Sequence, residues 1–328
     1  MPALDFVLFS TLFGKPAWMW LAFLGIIVTL LVVDLGLLHK EQREISMRES
    51  LVLSAVYIGL GLAFGGFVWW SLGAGAGAEY LTGFAVEKAL AMDNVFVIAM
   101  IFAFFGIPRA YQHRVLFWGV LGVIVLRAIM IAAGAAIIEA ASWVLYVFAA
   151  ILVATGVKMF FAGDKPYDIA SSGLLRFLRG RLRVTDGLEG ERFFVRRPVT
   201  GAKTLAWHVT PLFLALVLIE AADVIFAVDS VPAIFAITRD PFVIYTSNIF
   251  AILGLRALYF ALSALVDRFH YLKYALALVL VFIGSKIVLA DLLGLEKIPP
   301  AIALGVTLAI LTGGVVVSLV KTRPPKAT

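Results

Sequence analysis

Acidic side chains stand inside apolar stretches of this chain at two places, and the two places are spelled alike. The first reads Glu87-Lys-Ala-Leu-Ala-Met-Asp93-Asn94-Val95, the second Asp223-Val-Ile-Phe-Ala-Val-Asp229-Ser230-Val231. Each is an acid, five residues, an aspartate, a small polar residue and a valine. An ionisable group at membrane depth is costly and marks an ion pathway or a proton relay. Asn94, Ser230 and backbone carbonyls complete an all-oxygen donor set around these carboxylates. Such donors suit hard divalent cations such as Mn²⁺, Mg²⁺ or Ca²⁺. Cysteine is absent, which excludes disulfides, zinc–thiolate sites and thiol chemistry by this chain. The four histidines (39, 113, 208 and 270) fall at loop edges, so softer metals are disfavoured.

Six acids lie within apolar stretches: Asp34, Glu87, Asp93, Glu220, Asp223 and Asp229. Five bases accompany them as counter-charges: Lys88, Arg127, Lys158, Arg256 and Lys286. The simplest reading is internal ion pairing, although buried pairs are poor stabilisers. The second is a cation site, where metal and protons compete because the metal needs its carboxylates ionised. Asp34 sits toward one end of its stretch and reads equally well as an interfacial residue.

The elements that must position these residues are membrane helices. The chain is 62% hydrophobic and 15% charged, against about 45–50% and about 25% for a soluble domain. A spanning helix needs about 20 apolar residues. Nine stretches qualify: 16–38, 49–73, 80–105, 113–138, 142–162, 208–237, 242–265, 271–290 and 298–320. The expected fold is all-α, a single polytopic transmembrane domain over 1–328. Nineteen basic residues fall in the odd-numbered loops and the C-terminal tail, against three at the N-terminus and in the even-numbered loops. The positive-inside rule then puts the N-terminus outside and the C-terminus in the cytoplasm. It also accounts for the net charge of +6 without nucleic acid. The first 14 residues carry no basic n-region, so no removable signal peptide is expected.

The motifs belong to a longer correspondence. Leu126-Arg127-Ala128 matches Leu255-Arg256-Ala257, and Gly156-Val157-Lys158 matches Gly284-Ser285-Lys286. Spans 3–5 (80–162) and 6–8 (208–293) therefore read as inverted three-helix repeats, an architecture that places a substrate where the repeats meet. Residues six apart on a straight helix differ by about 240°. Glu87 with Asp93, or Asp223 with Asp229, can thus share one ion only if the helix opens, and Pro232 favours an opening. Locally unwound helices are expected at both motifs; a regular helix with a separate partner for each acid is the alternative.

The loop 163–207 is the one sizeable polar segment. Within it, Ser172 to Val184 sets leucines among four arginines at helical spacing and predicts a basic helix lying on the anionic inner leaflet. The same loop offers a docking place for a protein partner. Gly59, Gly61, Gly65 and Gly66 predict close helix packing. Met92 and Met100 read as packing residues, and Trp69, Trp70 and His208 as interface residues.

On these residues the chain resembles the TerC family of membrane proteins, including its Alx-type members. The stretches that carry the likeness are EKALAMDNVFVIAMIFAFFGIP (87–108), ERFFVR (191–196) and the run from Thr210 to Phe260. Where such families show a bulky residue after the glutamate at 220, this chain has Ala221-Ala222. The resemblance implies a LysE-like transporter, not an enzyme, exporting Mn²⁺ as its substrate, without a redox cofactor, from a bacterial inner membrane. It implies that Glu87, Asp93, Glu220, Asp223 and Asp229 carry the cation. Proton coupling is expected. A Ca²⁺/H⁺ exchanger, and a membrane partner that assists insertion or metalation of secreted proteins, stay open as alternatives. Tellurite resistance, which names the family, is expected to be indirect.

Overall fold

A computed structural model of the chain describes residues 10–36, 47–161, 169, 172–198, 205–262, 271–293 and 298–321. The side chains of Asp34 and Asp93 lie outside the described set. Among the described residues there are eleven helices: α1 (Ala17–Gly36), α2 (Met47–Leu72), α3 (Ala74–Phe104), α4 (Arg109–Ala140), α5 (Val144–Phe161), α6 (Gly173–Arg181), α7 (Pro211–Ile237), α8 (Pro241–Leu253), α9 (Leu255–Leu262), α10 (Leu272–Leu292) and α11 (Pro300–Lys321). Two small antiparallel hairpins join them, β1 (Thr11–Leu12) with β2 (Lys15–Pro16) and β3 (Phe194–Pro198) with β4 (Leu205–Val209). The architecture is thus helical with two hairpins that helical periodicity does not announce.

Among the described residues, seven segments are long and apolar enough to cross a membrane. The nine expected stretches map onto these seven plus α1, whose apolar part is shorter, and α3, whose acids interrupt its apolar run. The seventh expected span is two helices, α8 and α9, broken at Gly254. The break strands carbonyls at the end of α8, and Lys88 Nζ donates to one of them, Ala251 O, at 2.8 Å. A Cβ at position 254 would lie 2.9 Å from that Nζ and 3.0 Å from Tyr57 Cβ, which explains the glycine.

Helix α8 is the centre of the molecule: Thr246, Ser247, Asn248, Ile249, Phe250, Ala251 and Ile252 are all buried. Met19, Phe23 and Ile27 of α1 join Phe64 and Val68 of α2 and Tyr80 and Phe84 of α3 in one core cluster against its Phe242 and Phe250. The outer faces of α1 and α11 expose Leu24, Val28, Val32, Ile302, Leu308 and Val316, an apolar perimeter suited to lipid. Only Gly73 separates α2 from α3, at φ 91°, so no six-residue loop lies at 74–79. Gly61 and Gly65 do sit in close helix contact, against Phe84 and Tyr80, whereas Gly59 and Gly66 face open space.

Helices α5 and α10 meet through the two matched glycines. A Cβ on Gly156 would stand 2.6 Å from Ala277 O, and a Cβ on Gly284 would stand 2.7 Å from Ala149 O. Each glycine lets the other helix's backbone approach.

The expected basic helix forms as α6, with Ser172 Oγ accepting from Leu175 N at its start. Its leucines do not turn to lipid. Leu175 is buried, and Leu174, Leu178 and Leu182 pack on the cluster of Phe102, Ile107 and Leu214 at the ends of α3 and α7. The apolar stripe is satisfied by protein, and the arginines are left outward.

Candidate intramembrane charge cluster

The sequence predicted opened helices at both acid motifs, and the structure shows neither. α3 runs unbroken through Asp93, and α7 runs unbroken through Asp229 with Pro232 inside it. A proline in mid-helix costs one backbone hydrogen bond without ending a helix that neighbours hold in place. Regular geometry then decides which residues meet. Residues seven apart return to within about 20° of the same direction, whereas residues six apart do not. Glu87 with Asn94, and Asp223 with Ser230, therefore form one face each, and these two faces meet.

At the meeting point stands Arg127 of α4, 1% exposed. Its Nη1 reaches Glu87 Oε1 at 2.6 Å and Ser230 Oγ at 2.7 Å. Its Nε and Nη2 take both oxygens of Asp223, at 3.1 and 3.0 Å. Asn248 Oδ1 of α8 adds a contact at 3.3 Å. Asn94 Nδ2 donates to Asp223 Oδ1 at 3.2 Å. One guanidinium thus ties four helices, and all its partners are buried. The carboxylates come one from each motif copy, near the middle of their helices. With Arg127 between them, their formal charge sums to −1.

The remaining predicted residues stand elsewhere. Asp229, on the other face of α7, accepts from Thr155 Oγ1 of α5 at 2.8 Å and feels Lys158. Glu220 lies one turn before Asp223, half-buried, packed so tightly on Gly122 that a Cβ there would fall 2.2 Å from its carboxylate. Lys88 caps α8, as described above. Arg256 is buried, and Lys286 is buried at the wall of a second pocket with Arg239 and Ser142. The single seven-member ligand set expected from sequence is therefore divided. Among the described residues, no three histidine or acidic side chains converge as a ready metal cage.

Two acceptor oxygens in this region are buried and have no hydrogen-bond partner among the described residues: Asn94 Oδ1 and Glu220 Oε2. A buried oxygen without a donor is costly; a cation would relieve either one, and a proton would neutralise the Glu220 carboxylate. Asn94 and Asp223 also line a small cavity of about 30 Å³, room for little more than a water, whose other walls are apolar and include Ile98, Val123, Ala222 and Phe226.

Asn248 and Thr155 were not singled out by sequence. Asn248 ends a polar triplet, Thr246-Ser247-Asn248, inside an apolar helix, and that run is the signal. Thr155 is a lone hydroxyl in an apolar helix, which could equally bond its own backbone.

The sequence profile described as "Integral membrane protein TerC family" matches residues 72–326. The chain is 50% identical over 302 residues to an "Uncharacterized membrane protein" of Rickettsia bellii, covering 92% of this chain and 97% of that protein. It is 43% identical over 310 residues to an "Uncharacterized membrane protein" of Myxococcus xanthus, covering 94% of each. It is 46% identical over 307 residues to the "Putative membrane-bound redox modulator Alx" of Escherichia coli, covering 91% of this chain and 92% of that protein. No solved structure matches the chain.

Proposed function

Because the chain belongs to the TerC family of integral membrane proteins, we propose that it is a transporter that exports Mn²⁺ across the bacterial inner membrane in exchange for protons. The observation that carries this reading is the pair Glu87 and Asp223. Two buried carboxylates from matched motifs share one guanidinium in the middle of their helices. In the proposed cycle, Arg127 is the resident cation that neutralises the pathway when no metal is bound. A divalent ion entering from the cavity end meets Asn94 Oδ1, Asp223 and Glu220, oxygen donors of the kind a hard cation takes. Asp93 of α3, and Asp229 on the alternate face of α7, serve as the next carboxylates along the path.

The account rests on nine spans, with the N-terminus outside and the C-terminus in the cytoplasm, and on inverted repeats at 80–162 and 208–293. The reciprocal glycine contact between α5 and α10 supports that repeat, since matched residues of the two halves do the same work. The loop 163–207 remains a place for a protein partner.

Thiol exchange is not open to this chain's own residues, which include no cysteine. If the chain shares the redox role its relatives' name suggests, moving a redox-active metal is a route its composition permits. Ca²⁺ fits the same donors, so selectivity is settled by competition.

Calorimetric titration of the purified protein with Mn²⁺, in buffers of different ionisation enthalpy, tests the reading. Binding that releases protons is expected, because the metal needs the carboxylates ionised. A binding enthalpy that does not vary with buffer would remove the proton coupling, and no binding would remove the site.

A further inference from the structure

The hairpin β3–β4 carries a surface that the transport reading does not use. Its register pairs Phe194 with Val209, Arg196 with Trp207 and Pro198 with Leu205. Residues paired across antiparallel strands share a face, so Phe194, Arg196, Leu205 and Trp207 stand together. Leu205 is 63% exposed, Trp207 60% and Phe194 50%. The Arg196 guanidinium stacks on the Trp207 ring, 4.7 Å from its centroid. The opposite face is already engaged: Val195 is buried, and Arg197 pairs with Glu189.

Chain continuity fixes the depth of this face. β4 ends at Val209 and α7 begins at Pro211. Trp207 stands four residues ahead of the helix, within roughly 13 Å of its start at about 3.3 Å per residue. α7 has 27 residues, hence roughly 40 Å of helix against a hydrocarbon core of about 30 Å. Its length exceeds the core by roughly 10 Å, enough for its first turn to lie among lipid headgroups. Phe213 of that turn meets Phe194 at 4.8 Å between ring centroids. A bridge between Val184 and Val209 ties the segment after α6 to the same strand, and α6 exposes Arg176, Arg179 and Arg181 beside Phe177. Tryptophan and arginine together are what a membrane interface favours, and clustered arginines favour anionic lipid.

We infer that this hairpin face docks on the anionic headgroup layer of the bilayer the chain itself spans. Trp207 and Leu205 insert between headgroups, and Arg196 with the arginines of α6 pairs lipid phosphates. The inference does not depend on which ion the protein moves or on which side of the membrane the hairpin lies.

The absence of cysteine makes a single nitroxide label unambiguous. The full chain carrying Leu205→Cys would be labelled in nanodiscs of phosphatidylcholine, with and without phosphatidylglycerol. Collision with oxygen, which enriches in lipid, is compared with collision with a water-soluble nickel chelate. Gly187→Cys, on an exposed turn, is the control. A several-fold rise in the oxygen-to-nickel ratio at 205 when phosphatidylglycerol is present, lost in Arg196→Glu and absent at 187, is the expected result. A ratio at 205 that is the same in both lipids overturns the anionic assignment. Access to nickel in both leaves the face for a protein partner, and dipolar broadening between labels gives it to a second copy; either result overturns the inference.

Discussion

Asp223 gives both of its carboxylate oxygens to Arg127, at 3.0 and 3.1 Å, in the forked geometry that only a guanidinium can match. Glu87 takes the third direction of the same group. The arginine is thus the joint between the two motif copies. Its own helix, α4, holds it in place among α3, α7 and α8.

Removing that joint should be severe. Arg127→Ala leaves two carboxylates buried without a counter-charge, at a cost of about 3–5 kcal/mol. Thermal melting in detergent should show the loss. Adding Glu87→Gln and Asp223→Asn to Arg127→Ala should recover part of it, because the uncompensated charges then disappear. If the triple variant melts no higher than the single, ion pairing is not what holds this centre.

Asp93→Asn and Asp229→Asn should each abolish metal flux and leave the folded protein in the membrane. For Asp229 the structure supplies the reason: its one described hydrogen bond, from Thr155, survives in an asparagine. Parent-rate flux in either variant, read alongside an unchanged melting curve, would take that residue out of the path.

Two glycine substitutions should separate packing from chemistry. Gly156→Ala drives a methyl against backbone of α10, an overpacking that costs about 1–3 kcal/mol. Gly122→Ala meets first the movable end of Glu220. It should melt close to the parent while displacing the carboxylate and lowering flux. Equal melting losses in the two variants would contradict the distinction.

Membrane orientation is checked by a reporter active only in the cytoplasm. Fused after Thr328 it should be active, and inserted at Gly73, the turn between α2 and α3, it should be silent. The reverse pattern would invert the direction of transport while leaving the repeat untouched.

The acids, arginines and apolar runs were legible because a charge inside 20 apolar residues has few explanations. Their pairing was not. Acids six apart can share an ion only where a helix opens, so opened helices are the expected reading and a regular helix with a separate partner for each acid is the alternative. The helices instead stay regular, and the residues that share a face are those seven apart, Glu87 with Asn94 and Asp223 with Ser230. Nothing in α8 alone marks Asn248 as an acceptor for an arginine 121 positions away; that contact exists only once four helices are packed. The hairpin at 194–209 escaped notice for a different reason. Its alternation is short, and its last residues, His208 and Val209, fall within the apolar stretch expected at 208–237.

The central claim is that Mn²⁺ crosses the membrane through this cluster against a flow of protons. Purified protein in sealed liposomes, with a Mn²⁺-sensitive dye inside and an imposed pH gradient, measures it directly. The account predicts Mn²⁺ uptake that rises with an acidic interior, falls when the gradient is collapsed, and vanishes in Asp223→Asn. Uptake at the parent rate in Asp223→Asn, or no Mn²⁺ movement by the parent protein at any gradient, would contradict it.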